Sequence, residues 1–178
     1  YLKADPARVA RFAQRIGPKG FKIAFVWQGN PKRHVDLGRS YALNDLAGIA
    51  AIPGVRLLSV QKGVGSGQMD RCPFKDRIET FGPDFDEGTD AFEDTAAVMM
   101  NADLVITPDT SIAHLAGALG VKTLVALKHV PDWRWLLDRA DTPFYPSMTL
   151  YRQRAVNDWA ELFVRLTKDV AAMVGARR

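Results

Sequence analysis

Asp109, Thr110, Ser111 and His114 stand close together between an apolar run, 104–107, and a stretch of small and apolar residues ending at Gly120. A carboxylate, two hydroxyls and an imidazole at this spacing can hydrogen-bond an anionic, oxygen-rich ligand. The surrounding chain suggests how they are aimed. It reads as a buried strand at 104–107, an abrupt polar turn, a helix, and a second apolar strand at 122–127. The first N–H groups of that helix, with the Thr110 and Ser111 hydroxyls, would point beyond the carboxyl end of the strand. In an open parallel sheet ligands sit there, and anions are favoured there. His114 lies one turn into the helix, so its ring either faces the same cleft or packs as a core residue.

Other candidates follow strand-like runs in the same way. Residues 21–27 end in Gln28-Gly29-Asn30-Pro31-Lys32-Arg33-His34, a basic loop that runs on to Arg39-Ser40. Gly29 lets the backbone approach a ligand closely, and Lys32, Arg33 and Arg39 could meet phosphate oxygens. A merely solvated loop would also be basic. Strand 55–60 leads into 61–67, where Gly67 falls one residue early for a dinucleotide fingerprint and Cys72-Pro73 replaces the expected helix. This reads as a flexible loop with Gln61 and Lys62 facing the cleft. Asp84-Phe85-Asp86 has the D-x-D spacing of a metal–diphosphate site, yet between Gly82-Pro83 and Glu87-Gly88 it reads as a solvated turn. Asp90 to Glu93 fits a capping box, opening a helix in which Thr95-Ala96 leave room for a ligand and Met99 and Met100 fill core. After strand 122–127, Asp132 caps a short helix reaching Leu137. Trp133 and Trp135, around Arg134, either stack on a base or sugar or seal the core edge.

The frame that must position these groups is alternating strand and helix. Asp5-Pro6 starts a helix with Val9, Phe12, Ala13 and Ile16 on one face and Arg8, Arg11 and Arg15 on the other, stopped by Gly17-Pro18. A short helix over 43–50 precedes Pro53-Gly54. A last strand spans 148–151, and Asn157 or Asp158 caps a closing helix with Trp159, Leu162, Phe163, Leu166, Val170 and Met173 on its apolar side. The expected division is an N-terminal helix or interdomain segment, 1–20, an α/β Rossmann-like domain, 21–155, and the closing helix, 156–178.

Composition narrows the classes. The 178 residues, 47% hydrophobic and 25% charged, suit one globular α/β domain. The net charge of +4 is concentrated in residues 1–40, with nine Lys/Arg against Asp5 and Asp36. A small polyanion accounts for this better than nucleic acid, because neither a helix-turn-helix nor an aromatic platform is present. Cys72 alone excludes an internal disulfide and a Cys-based zinc site, and His34, His114 and His129 are not spaced as a metal set. No run is long and apolar enough for a membrane span and no signal-peptide pattern opens the chain, so the expected location is the cytoplasm. The start at Tyr1 suggests a fragment or excised domain.

Taken in order, Val26 to Pro31, Leu58 to Gly63, Phe92 to Ala96, Thr107 to Gly120 and Pro131 to Trp135 resemble the C-terminal half of bacterial two-domain GT-B glycosyltransferases. The resemblance is nearest to the catalytic region appended to tetratricopeptide-repeat proteins. It extends more distantly to ADP-heptose:lipopolysaccharide heptosyltransferases and O-linked N-acetylglucosamine transferase. It implies a Rossmann-like parallel sheet flanked by helices, one half of a GT-B fold, holding a nucleotide diphosphate sugar without metal or other cofactor. Asp109, Thr110, Ser111 and His114 match the segment that contacts the donor diphosphate and sugar. Lys32 or Arg39 would supply the basic residue of the first loop, and the segment around Asp132 and Trp133 would lie near base and ribose. A second half, absent here, would bind the acceptor and supply the base, with helical repeats as a further partner and the closing helix running back toward that half. Asp109 is the one candidate for a direct catalytic role, although a carboxylate beside a diphosphate also orients donor hydroxyls or caps its helix. The competing readings are a non-catalytic nucleotide or nucleotide-sugar module and a phosphate-dependent oxidoreductase with a Rossmann domain; the latter lacks its glycine fingerprint.

Overall fold

The computed structural model describes residues 2–31, 37–88 and 91–177. Six parallel strands form one sheet: β1 (Phe21–Phe25), β2 (Val55–Ser59), β3 (Ile78–Glu79), β4 (Leu104–Pro108), β5 (Thr123–Leu127) and β6 (Met148–Arg152). Their order is β3-β2-β1-β4-β5-β6. The chain thus winds outward from β1 through β2 to β3, then returns to the other side of β1. β1 is paired on both sides, Phe25 lying opposite Ser59 of β2 and Ile106 of β4. This reversal opens a crevice at the carboxyl ends of β1 and β4. The architecture is an α/β, Rossmann-like parallel sheet flanked by helices.

Burial on both faces explains why the strands read as continuous apolar runs rather than alternating ones. On one face Phe21, Ile23 and Phe25 meet Leu43, Leu46 and Ile49 and the apolar stripe of the closing helix, Leu162, Phe163, Leu166 and Val170. On the other, Ala24 and Val26 meet Phe12 and Ile16 of α1 (Pro6–Ile16) and Ala97 and Val98 of α3 (Glu93–Met100). The short α2 (Ala47–Ala50) follows a 3-10 turn, Leu43–Leu46. α4 (Ser111–Ala118) and α5 (Trp159–Ala176) complete the set. Asp5 caps α1 by accepting from the Arg8 amide at 2.7 Å. Asp158 caps α5 by accepting from the Glu161 amide.

Four local expectations are corrected. α3 begins at Glu93 with Phe92 as its N-cap, two residues later than expected; Asp90, the expected capping residue, lies outside the described residues. The helix at Asp132 is a single 3-10 turn, Trp133–Trp135, ended by Leu136 in a left-handed conformation at φ 54°. The segment after Lys62 is no free loop but holds a 3-10 helix, Ser66–Arg71. Met100 lies at the surface, 46% exposed, while Met99 is fully buried.

Candidate functional site

A cavity of about 470 Å³ opens at the carboxyl ends of β1, β2 and β4. Among the expected residues, Gly29, Asn30, Gln61, Lys62, Thr95, Thr110 and Ser111 line it. Each arrives from a loop or helix start that the sheet places at this edge.

The β1 side is set by Gln61. Its Oε1 accepts from the Trp27 and Gln28 amides, each at 3.1 Å, and its Nε2 donates to the carbonyls of Gln28 and Val64. The side-chain amide therefore stitches the end of β1 to the loop after β2. Gly65, at φ 93°, closes the stitch: a Cβ there would stand 2.7 Å from Gln28 Oε1. The Gly29 amide donates to Ser40 Oγ at 2.9 Å, folding the start of the basic loop back on its end.

Lys62 lines the cavity but is occupied. Its Nζ donates to the carbonyls of Phe85 and Asp86 and meets Glu87 at 3.1 Å, which uses its three protons. It acts here as a tie rather than as an anion receptor.

The β4–α4 side is the polar wall. Thr110 is the N-cap of α4 in extended conformation, but its hydroxyl bonds Thr107 Oγ1 at 3.1 Å instead of capping the helix. Among the described residues no acceptor in the chain serves the Ser111 or Ile112 amides, which open α4 beside the cavity. These N–H groups and the helix dipole make the wall receptive to an anion.

Asp109 is buried, 8% exposed, and its carboxylate makes no hydrogen bond among the described residues; it does not line the cavity. His114 lines a smaller, apolar cavity of about 250 Å³ that shares Phe92 and Ser111 with the first. Its ring stacks on Trp135 at 5.3 Å, and Nδ1 bonds the Tyr145 hydroxyl at 3.1 Å. Burial lowers its pKa below the ordinary imidazole value; Asp109 and Asp132 push the other way, and Arg134 adds to the lowering.

Besides Asp109 and His114, three more expected residues lie outside the lining. Arg39 sits in the turn 37–39, which Lys128 ties to the end of β5 by donating to the Leu37 carbonyl. Asp132 accepts from the Arg134 amide. Trp133 is 71% exposed beneath the Arg134 guanidinium. Lys32 lies outside the described residues, as do Arg33 and His34.

Val64, Asp86, Ala91, Phe92 and Ile112 are among the lining residues that the sequence did not single out for the cleft. Phe92 stands at φ 72°, a conformation that costs a side-chain-bearing residue about 1 kcal/mol, and it lines both cavities. The D-x-D pair diverges. Asp86 faces the main cavity, whereas Asp84 lines a different one beside α1. Among the described residues no three His, Cys, Asp or Glu side chains gather as a metal site.

The sheet and the crevice at its reversal define an α/β Rossmann-like architecture, and comparison with known proteins finds the same fold. No protein-family model matches the chain. In sequence it is similar to protein FlbA of Caulobacter vibrioides, 27% identical across 97% of this chain and 29% of FlbA. In structure it is similar to the Escherichia coli ADP-heptose lipopolysaccharide heptosyltransferase II, TM-score 0.68 at 10% identity, covering 99% of this chain and 54% of that one. It is also similar to E. coli heptosyltransferase WaaC, solved with ADP-2-deoxy-2-fluoro heptose, TM-score 0.59 at 16% identity, covering 97% and 49%. At these identities the likeness is one of fold. The chain spans about half the length of these heptosyltransferases and under a third of FlbA.

Proposed function

We propose that this chain is the donor-binding half of a GT-B glycosyltransferase, holding a nucleotide diphosphate sugar in the cavity beneath α4. The observation that carries the proposal is the unbonded pair of amides, Ser111 and Ile112, at a cavity opened by the strand reversal. The heptosyltransferase neighbours, one solved with a nucleotide-sugar analogue, support the same reading.

In this reading the diphosphate lies against the start of α4. The acceptor hydroxyl forms its bond to the anomeric carbon as the bond from that carbon to the diphosphate oxygen breaks. The acceptor proton passes to a base, which we place on the acceptor-binding half. Charge developing on the leaving diphosphate is met by the α4 amides, the Thr110 and Ser111 hydroxyls and a cation of the basic loop, Lys32 or Arg39. Preorganised donors of this kind replace a metal. Gly29 and Asn30 bound the donor on the β1 side, and Thr95, as a small residue, leaves room beside α3. Asp109 orients donor hydroxyls, and His114 reaches the donor from the adjoining cavity. The proposal extends to a cytoplasmic bacterial protein whose other parts, including helical repeats, recognise the acceptor.

Thermal shift and calorimetry with ADP, UDP, GDP, their sugars and NAD test it. A nucleoside diphosphate at a hundredfold its Kd stabilises a protein by about 2.7 kcal/mol, and that gain should vanish in the Thr110→Ala, Arg39→Ala double variant. No stabilisation by any nucleotide contradicts the proposal, and a preference for NAD favours an oxidoreductase.

A further inference from the structure

Asp86 forms part of the cavity wall, held by Lys62 and Thr95 of the same wall and by Asp94, which does not line it. Its backbone is left-handed, φ 50°. Its carboxylate caps α3 from outside the helix, accepting from the Asp94 amide at 2.8 Å, the Thr95 amide at 3.3 Å and the Thr95 hydroxyl at 2.5 Å. Phe92, the residue at the N-cap position, offers no side-chain bond, so Asp86 supplies the cap. The Asp86 amide in turn donates to Asp94 Oδ2 at 3.2 Å, which makes the pair reciprocal.

Asp94 connects this pair to α1. Its carboxylate, 8% exposed, accepts from Arg8 at 2.9 Å and Arg11 at 2.7 Å, and Arg8 also meets Glu93. Moving this buried carboxylate breaks both ion pairs, and the loss falls mainly on the part-buried Arg8, since the more exposed Arg11 is solvated by water. The same loop is held by an aromatic cluster in which Phe12 of α1 meets Phe81 and Phe85 edge-on. The cluster fixes the loop's height, and the charged chain fixes the direction in which Asp86 points.

We infer that Arg8 and Arg11 are positioning residues of the cavity, acting through Asp94 to set Asp86 and Thr95. This rests on the donor-site reading for its consequence, since the groups being set face the proposed sugar nucleotide. The arginine face of α1 thus ties a helix outside the crevice to the crevice wall. Arg15, on the same face, stacks on Phe81 of the aromatic cluster and makes no bond to Asp94, so it separates the cluster's support from that of the ion pairs.

The test compares the wild-type chain with Arg8→Ala/Arg11→Ala, Arg8→Lys/Arg11→Lys, Asp94→Asn and Arg15→Ala. Hydrogen exchange is measured at the Asp86, Asp94 and Thr95 amides, and calorimetry uses ADP and UDP-glucose as probes. The alanine pair and Asp94→Asn should exchange at least about tenfold faster at those amides, with β4 unaffected, and weaken nucleotide binding by about tenfold, a size usual for groups in one network. The lysine pair should recover part of both losses, and Arg15→Ala, which leaves the Asp94 bonds intact, should change both less than the alanine pair does. A general loss of stability would instead lower the melting temperature and speed exchange everywhere. Unchanged exchange at Asp94 and Thr95 overturns the inference, as does faster exchange with unchanged affinity. If the wild type binds neither probe, the donor-site reading fails for those donors, and exchange alone decides whether the arginines set Asp86.

Discussion

Gln61 uses both ends of its amide on the chain itself, and this separates lining a cavity from acting in it. Removing that side chain leaves the Trp27 and Gln28 amides without acceptors at a part-buried strand end. Since each abandoned buried donor costs about 1–3 kcal/mol, Gln61→Ala should lower unfolding free energy in urea by about 2 kcal/mol or more. Gln61→Glu keeps both acceptor bonds and should lose less. His114 gives a pH prediction. Its folded pKa lies below the ordinary 6.5 chiefly through burial, so the unfolded chain binds the proton more readily. The associated stability is fully present above about pH 6.5 and is lost as pH falls toward the folded value. His114→Gln should flatten that acid-side decline in melting temperature, and an NMR titration should find the imidazole neutral at pH 7. Thr110 and Ser111 were legible in the sequence because strand, turn and helix start are adjacent in the chain. Asp86 was not, because its cap reaches a helix through a turn whose shape depends on Phe12, Phe81 and Lys62.

At the scale of elements, α4 carries the account. It packs so closely that a Cβ on Gly117 would stand 2.4 Å from the Tyr145 ring and 2.6 Å from Met148. Helix propensity favours alanine by about 1 kcal/mol, yet overpacking of this kind costs about 1–3 kcal/mol. Gly117→Ala should therefore destabilise the domain despite the propensity gain, and it should shift Tyr145 and with it the His114 hydrogen bond. Thermal denaturation and the His114 ring resonances check this together. Apolar runs and turn residues made β1, β2, β4, β5 and β6 readable, since parallel strands covered on both faces are uniformly apolar. β3 escaped because it has two residues, Ile78 and Glu79, and no period to read. The start of α3 was misplaced because local capping residues compete with a cap supplied from elsewhere, and tertiary structure decided between them.

For the whole molecule, the order β3-β2-β1-β4-β5-β6 concentrates three loop ends at one crevice, and it does so regardless of which chemistry the loops carry. The order of the motifs along the sequence points to the loops gathered at this crevice, but the residues it groups do not all line one cavity. His114 turns to the adjoining cavity, and Asp132 and Trp133 stay outside both. Spacing along a chain cannot report which side of a helix or turn faces the opening. The central claim is that a nucleotide occupies the crevice below α4. The most direct measurement is a titration of isotopically labelled chain with ADP and UDP-glucose, following backbone amide resonances. Saturable shifts are expected at Gly29, Asn30, Thr95, Ser111 and Ile112, the largest at the two α4 amides. Shifts confined to the arginine face of α1, or none at all with either nucleotide, would contradict it.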